Sequence, residues 1–299
     1  MTDALLLVFP GQEALAQALA TACGYEWASL QLHWFPDGEV RVTVPANLSG
    51  RCVVLLGSLD DPARKTLPLL FAADAARELG ACRVGLIAPY LAYLRQDCRF
   101  APGEAISSRT YARILSDSFD FLLTVEPHLH RYRHLDEIYR CEAVALTAAP
   151  ALADWLRHEV TRPLLVGPDS ESEPWTAAVA ARLGAPYIVL SKVRQGDRNV
   201  SVSLPDVATW RDHTPVLLDD ILSTGRTMAA AVARLKQAGL VAPVCVAVHP
   251  ILAGDALATL EASGAAQVVS SNSIPHPTNR IDLVPLLAEA LRGLIGESR

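Results

Sequence analysis

The sequence predicts an α/β protein built from two similar halves. Three observations carry that prediction. Short apolar runs recur along the whole chain, and each is followed by a polar loop and an alanine-rich helical stretch. One such unit in the first half is echoed roughly 160 residues later in the second. The length of 299 residues favours two domains over one very large core. Parallel strands need a long crossover, which the intervening helical stretches supply.

Taken in order, the run Ala4 to Phe9 is short and lacks a basic lead-in, so it reads as a first strand and not as a signal peptide. Phe35-Pro36-Asp37-Gly38-Glu39 then precedes the alternating Val40 to Val44, a turn entering a strand. The clearest unit of the first half is the run Cys52 to Leu56, the loop Gly57 to Lys65, a helix ending at Gly80 and the run Arg83 to Ala88. Its echo is the run Val216 to Leu218, the loop Asp219 to Thr227, a helix ending at Gly239 and the run Val244 to Val248. Both glycines stand where a left-handed helix terminus wants them. An internal duplication follows, with chance similarity of such units as the alternative. The boundary is expected near Thr147 to Pro150, giving domains 1–147 and 148–299.

Composition narrows the function classes. About half of the residues are apolar and 19% are charged, with no block of like charges, which excludes a disordered or fibrous chain. The net charge of -6, with 26 basic residues spread throughout, gives no nucleic-acid footprint. No stretch approaches the roughly 20 apolar residues that span a bilayer, so a cytoplasmic protein without a membrane partner is expected. Six cysteines lie far apart with no C-x-x-C pair, which favours reduced, mostly buried thiols over disulfides or a zinc knuckle.

The most informative stretch is Val216-Leu217-Leu218-Asp219-Asp220-Ile221-Leu222-Ser223-Thr224-Gly225-Arg226-Thr227. A buried strand delivers two acids to its C-terminal end, where open α/β sheets bind ligands and carboxylates can accept hydrogen bonds from vicinal sugar hydroxyls. Ser223, Thr224 and Thr227 supply hydroxyls, Gly225 permits close backbone approach, and the next helix offers free N–H groups to a phosphate. A strand-to-helix turn with ordinary caps is the bland alternative. The string resembles the ribose-phosphate motif shared by phosphoribosyltransferases and ribose-phosphate pyrophosphokinases. That resemblance implies that Asp219 and Asp220 meet the ribose hydroxyls and that Ser223, Thr224, Gly225, Arg226 and Thr227 hold the 5-phosphate. Arg226 departs from the Gly or Ala often found there.

Further segments resemble the pyrophosphokinases in particular. Phe35, Asp37, Gly38 and Glu39 match an F-S/P-D-G-E segment that contacts the adenine of ATP across a subunit interface; a hairpin corner with solvated acids is the alternative. Pro89 to Arg99 reads as a loop at a strand end in which Arg95 and Arg99 can neutralise a triphosphate and Gln96 can hydrogen-bond. It resembles the ATP-binding Y-x-R-Q-D-x-R/K segment, which brings in Asp97, although a surface ion-pair loop is also possible. Thr124-Val125-Glu126-Pro127-His128 resembles T-V-D-x-H, whose His helps hold the magnesium nucleotide. Hard Mg²⁺ is favoured over zinc because the substrate that the resemblance implies is a triphosphate and no cysteine or third ligand has usable spacing.

Leu190 to Asn199 reads as a mobile polar loop ending a strand, and as a solvated loop on residue types alone. The family has K-x-R there, which makes Lys192 the transition-state stabiliser and Arg194 its partner. Gly167-Pro168-Asp169-Ser170-Glu171-Ser172-Glu173 aligns with the family's pyrophosphate loop. Asp169 is retained as a Mg²⁺ or hydroxyl contact, but the loop's glycines are absent. Glu171 and Glu173 add charge that is unfavourable there unless metal ions compensate or the acids point outward. Together the matches imply two tandem type I phosphoribosyltransferase-like domains and transfer of the pyrophosphoryl group of ATP to ribose 5-phosphate. They also imply a homo-oligomer, dimer or higher. A catalytically silent regulatory homologue and a phosphoribosyltransferase are the alternatives.

Overall fold

A computed structural model describes residues 3–190 and 209–296 in full, and residues 191–195, 199–203 and 208 by backbone path alone. The chain divides into two compact units. The first begins with β1 (Ala4–Val8), α1 (Glu13–Cys23) and β2 (Glu26–Ser29), followed by an antiparallel ribbon of β3 (Gln31–Trp34) and β4 (Val40–Thr43). It continues through β5 (Cys52–Leu56), α2 (Pro62–Glu78), β6 (Arg83–Ala88), α3 (Ser107–Ser118), β7 (Phe121–Val125) and β8 (Glu142–Leu146). Its sheet is parallel throughout, in the order β2-β1-β5-β6-β7-β8.

The second unit holds α4 (Ala149–Glu159), β9 (Pro163–Gly167), α5 (Glu173–Leu183) and β10 (Tyr187–Val189). An antiparallel ribbon of β11 (Ser191–Gln195) and β12 (Asn199–Ser203) comes next. Then follow β13 (Thr214–Leu222), α6 (Arg226–Gln237), β14 (Val244–Pro250), α7 (Ala256–Ser263), β15 (Gln267–Ser271) and β16 (Asn279–Ile281). Its six-stranded parallel sheet runs β10-β9-β13-β14-β15-β16. Leaving the ribbons aside, each unit places its strands in the order second, first, third, fourth, fifth, sixth, and each inserts its ribbon between the second and third. Shared topology of this detail supports the expected duplication where residue identity does not.

The last helix, α8 (Val284–Ile295), is grouped with the first unit together with residues 273–275. It packs beside α1, and Arg292 Nη1 donates to the Ala22 carbonyl at 3.0 Å. The strands β1 and β5 are buried at every position, as strands covered on both faces are, and so read as unbroken apolar runs. In the first unit Leu69, Ala72 and Ala76 of α2 and Leu115 of α3 belong to one core with Leu7, Leu55 and Leu86 of the sheet. In the second, Met228, Val232 and Leu235 of α6 join Val166, Leu217 and Cys245. Burying each such aliphatic side chain contributes about 1.5–3 kcal/mol before ordering costs.

Several local expectations need revision. α2 starts at Pro62, inside the expected loop, because proline's fixed φ suits a first helical turn. β13 does not stop at Leu218 but runs nine residues to Leu222. Aspartate is a poor strand former, yet the ladder to β14 continues through Ile221↔His249 and Leu222↔Pro250 and overrides that preference. The backbone of residues 191–195 and 199–203 is a paired ribbon and not an irregular loop. Gly196, Asp197 and Arg198 lie outside the described residues. Cysteine burial is less general than expected: Cys52 and Cys245 are buried, Cys23, Cys98 and Cys141 half-buried and Cys82 exposed. Burial pushes the Cys245 thiol up to about 12, so it stays protonated at neutral pH. Gly80 and Gly239 have φ of +89° and +85°, the left-handed geometry their spacing suggests. No described helix is long and apolar enough to cross a membrane.

Gly85 faces Phe121 across the β6–β7 pair, and a Cβ there would lie 2.0 Å from the ring's Cζ. Gly85→Ala is therefore expected to overpack the sheet face and destabilise the protein by about 2 kcal/mol, read as a lower denaturant midpoint.

Candidate active site

In both sheets the strand order reverses between the first and third strands, β1/β5 and β9/β13. Successive crossovers leave that point in opposite directions, so the loops beyond the strand ends part and form a crevice. In the second unit this crevice is flanked by the loop after β9, which carries Asp169, and by the end of β13 and its loop into α6. The expected pyrophosphate and sugar-phosphate segments are thus neighbours at one switch point, although 50 residues separate Asp169 from Asp219.

Asp219 and Asp220 are half-buried near the C-terminal end of β13. Asp219 Oδ1 accepts the Asp220 N–H at 3.0 Å, and Asp220 Oδ1 accepts the Ile221 N–H at 2.7 Å. Desolvation by the surrounding sheet, then the charge of Asp220 and the more distant charge of Asp169, hold the Asp219 carboxyl well above the usual carboxylate range. Both neighbouring charges act on Asp219, and hydroxyl donors placed beside it would help to stabilise its anion.

The following turn is arranged differently. Ser223 is half-buried, whereas Thr224, Arg226 and Thr227 are exposed. Gly225 has φ +70°, and a Cβ on it would stand 3.2 Å from the Ala256 carbonyl at the start of α7. The residue therefore has to be glycine for both reasons. The turn's carbonyls are engaged, Ser223 O by Ala253 N–H at 3.1 Å and Gly225 O by Ala229 N–H at 2.8 Å. No side chain caps the start of α6, its first turn holds no acid, and Arg226 stands there instead. A cation at the positive end of a helix dipole is unfavourable unless an anion joins it.

After β9, Gly167 has no room for a side chain, since a Cβ would lie 2.6 Å from Ser172 Oγ. Ser172 Oγ donates to the Asp169 carbonyl at 2.6 Å and closes a 3₁₀ turn over residues 170–172. Glu171 and Glu173 are both exposed. Glu173 begins α5, where a carboxylate complements the helix dipole.

In the first unit Phe35, Asp37, Gly38 and Glu39 form the tip of the β3–β4 ribbon. Phe35 N–H donates to Glu39 O at 2.8 Å, Glu39 N–H donates to Asp37 Oδ1 at 3.1 Å, and Gly38 takes φ +92°. All four residues are exposed, and the Phe35 ring meets His33 edge-on. The loop after β6 exposes Arg95, Gln96 and Arg99 but turns Asp97 inward, where only 2% of its side chain is accessible. Its partner is Arg131 Nη1 at 2.6 Å. His128, half-buried after β7, stacks on His130 with ring centroids 3.9 Å apart.

Lys192 and Arg194 occupy alternate positions of β11, opposite Val202 and Val200; their side chains lie outside the described residues. Among the described residues no group of three or more His, Cys, Asp and Glu is arranged as a ready-made metal site. Sequence reasoning passed over the role of Arg131 and Tyr132, which contact the Arg95 to Arg99 segment. The only signal in the sequence was a cluster of His and Arg after a strand.

Comparison with known proteins identifies the family. Residues 5–118 match the family described as the N-terminal domain of ribose phosphate pyrophosphokinase, and residues 134–272 match the phosphoribosyl transferase domain. A ribose-phosphate pyrophosphokinase from Methanopyrus kandleri is 35% identical over 94% of this chain and 96% of its own length. One from Halobacterium salinarum is 33% identical over 96% and 100% respectively. The crystal structure of phosphoribosylpyrophosphate synthetase from Mycobacterium smegmatis shares the fold, with a TM-score of 0.87 at 24% identity, covering 99% of this chain and 100% of that one. With two domain matches spanning most of its length and near full-length relatives above 30% identity, the chain belongs to the ribose-phosphate pyrophosphokinase family.

Proposed function

We propose that this chain transfers the β,γ-pyrophosphoryl group of ATP to the 1-hydroxyl of ribose 5-phosphate, giving 5-phosphoribosyl 1-pyrophosphate and AMP. The observation that carries this reading is the β13–α6 connection. Paired acids suited to vicinal hydroxyls lead into an uncapped helix start bearing Arg226 and three hydroxyl side chains, which suits a sugar that carries a phosphate.

The anomeric oxygen attacks the β-phosphorus of ATP. The new O1–Pβ bond forms as the bond from Pβ to the α,β-bridging oxygen breaks, AMP leaves with that electron pair, and the hydroxyl proton passes to solvent. No covalent enzyme intermediate is needed. Asp219 and Asp220 orient the sugar, while Ser223, Thr224, Gly225, Arg226 and Thr227 anchor its 5-phosphate. Lys192 and Arg194 neutralise charge as it spreads over the transferring group. Phe35, Asp37, Gly38 and Glu39, with Arg95, Gln96 and Arg99, bind ATP, and Asp97 belongs to the same segment. Asp169, Asp219 and Asp220 offer carboxylate oxygens, the donor chemistry that a hard divalent cation takes. Asp169 would hold Mg²⁺ in the second unit and His128 would meet the metal nucleotide in the first. When bound, Mg²⁺ supplies positive charge to the polyphosphate. A homo-oligomer, dimer or higher, in the cytoplasm completes the reading, because the exposed Phe35 to Glu39 tip suits a nucleotide held by a neighbouring copy.

The altered loop after β9 favours one second reading, a catalytically silent subunit. Incubating the purified chain with ATP, Mg²⁺ and ribose 5-phosphate decides between them: equimolar AMP and phosphoribosyl pyrophosphate are expected. ADP in place of AMP would mean γ-phosphoryl transfer, and no turnover would favour the silent subunit. In the same assay Lys192→Ala is expected to lower kcat about 10²-fold with little change in KM. Arg226→Ala is expected to raise the KM for ribose 5-phosphate about ten-fold while leaving the KM for ATP near its original value.

Asp219 gives a pH-dependent test. A carboxyl whose folded pKa lies above its unfolded value binds its proton more tightly in the folded state, so stability falls as pH rises from the ordinary carboxylate range through the raised value. Asp219→Asn should raise the denaturant midpoint of the ligand-free protein at pH 7, and the gain should vanish as the pH drops below the normal aspartate range. A variant no more stable than wild type at pH 7 would show that burial and neighbouring charge together do not raise the Asp219 carboxyl.

A further inference from the structure

We propose that Arg131 is a positioning residue for ATP: by neutralising the buried carboxylate of Asp97 it leaves the cationic side chains of the Arg95 to Arg99 segment available to the polyphosphate. The inference rests on the reading that Arg95, Gln96 and Arg99 meet ATP.

The segment carries its own opposite charge. Asp97 lies two residues from Arg95 and two from Arg99, so on sequence alone it is an obvious internal partner for either. The fold prevents this. Asp97 is turned inward with its side chain 2% accessible, and Arg131 from the loop after β7 reaches it at 2.6 Å. The Arg131 guanidinium also lies over the Phe100 ring, 5.5 Å from its centroid. Arg95 and Arg99 are exposed, and among the described residues neither forms an ion pair. Arg99 Nε instead donates to the Glu104 carbonyl at 2.9 Å, a contact that leaves its charge uncompensated.

Neighbouring contacts hold this arrangement in place. The Tyr132 hydroxyl donates to the Asp97 carbonyl at 3.4 Å and accepts from Arg109 Nε at 3.3 Å. Gln96 O accepts the Ser108 N–H at the start of α3 at 3.2 Å. The Glu104 carboxylate accepts the N–H groups of Phe100 and Ala101 at 2.9 and 3.0 Å. The backbone around Asp97 is thereby tied to α3 and to the loop after β7, while the flanking cationic side chains point to solvent.

Loss of Arg131 would leave a carboxylate buried without a counter-charge. That is far more costly than losing an exposed ion pair, whose net worth is small. The carboxylate would then turn outward, taking the loop with it, and pair with Arg95 or Arg99. Either arginine, once paired, is a weaker ligand for a triphosphate. Arg131 therefore acts on ATP binding through Asp97 and not by touching the nucleotide.

The test is a charge-rescue series in the full chain, with steady-state KM values for ATP and ribose 5-phosphate. Arg131→Met is expected to raise the KM for ATP about ten-fold while the KM for ribose 5-phosphate changes less than about two-fold. Arg131→Lys, which keeps the charge, should stay within about three-fold of wild type for ATP. The decisive variant is Arg131→Met combined with Asp97→Asn. With the buried charge gone, the KM for ATP should return to within about three-fold of wild type. If the double variant is as impaired as Arg131→Met, Arg131 contacts ATP directly or merely supports the fold, and the proposal fails. It fails also if Arg131→Met leaves the KM for ATP unchanged or raises both KM values together. Should Arg131→Met alone not fold, the double variant and Arg131→Lys decide the matter: a KM for ATP raised ten-fold in the double variant overturns the proposal, and near-wild-type values in both support it. The underlying reading is checked separately: Arg95→Ala with an unaltered KM for ATP would remove the nucleotide from this segment whatever Arg131 does.

Discussion

The second unit is organised around negative charge held at the end of a parallel sheet. Asp219 sits where β13 meets the crevice, desolvated by the sheet and repelled by Asp220 and by Asp169 from the adjacent strand's loop. Nothing in packing asks for this, since a hydrophobic residue would fill the same space at lower cost. Carboxylates at the end of a parallel strand suit a polyhydroxyl ligand. The helix that follows is complementary: its N-terminus is uncapped and carries an arginine, which is the opposite frustration. A ligand with hydroxyls at one end and a phosphate at the other relieves both at once, and ribose 5-phosphate is such a ligand.

The duplicated architecture explains how one topology serves two tasks. Each unit inserts an antiparallel ribbon between its second and third sheet strands, β3–β4 in the first and β11–β12 in the second. The first ribbon presents an aromatic and acidic tip, Phe35 to Glu39, while the second contains Lys192 and Arg194. At the switch point the second unit has the acid pair and the hydroxyl-rich turn. The corresponding connection in the first unit, between β5 and α2, reads Gly57-Ser58-Leu59-Asp60-Asp61 before a proline helix start; its acids lie beyond the strand, and Asp60 is paired with Lys65 at 2.6 Å. The sheet fixes where a ligand can bind, and the loops decide which one.

The acidic loop after β9 departs from the family pattern, and the fold changes what that departure means. In sequence, Glu171 and Glu173 place like charge beside a pyrophosphoryl group. In the structure both are exposed, and Glu173 complements the dipole of α5, while Gly167 is fixed by the close approach of Ser172. Local helix electrostatics thus account for one of the two acids without any reference to a ligand.

The α/β class, several of the strands and the Asp219 to Thr227 string that carries the family resemblance were legible in the sequence, because apolar runs, glycine-terminated helices and contiguous motif residues are all local patterns. Residue preferences misplaced the end of β13, because a long-range ladder to β14 holds aspartates in extended backbone. They also left the ribbon after β10 as a loop, since pairing with a second strand cannot be seen from one strand alone. The convergence of Asp169 with Asp219, and the capture of Asp97 by Arg131 in preference to its nearer arginines, were decided only by tertiary structure. Composition and spacing fix which charges a chain carries. Which of them become neighbours, and which lose their water, depends on strand order and burial, and these are properties of the folded sheet alone.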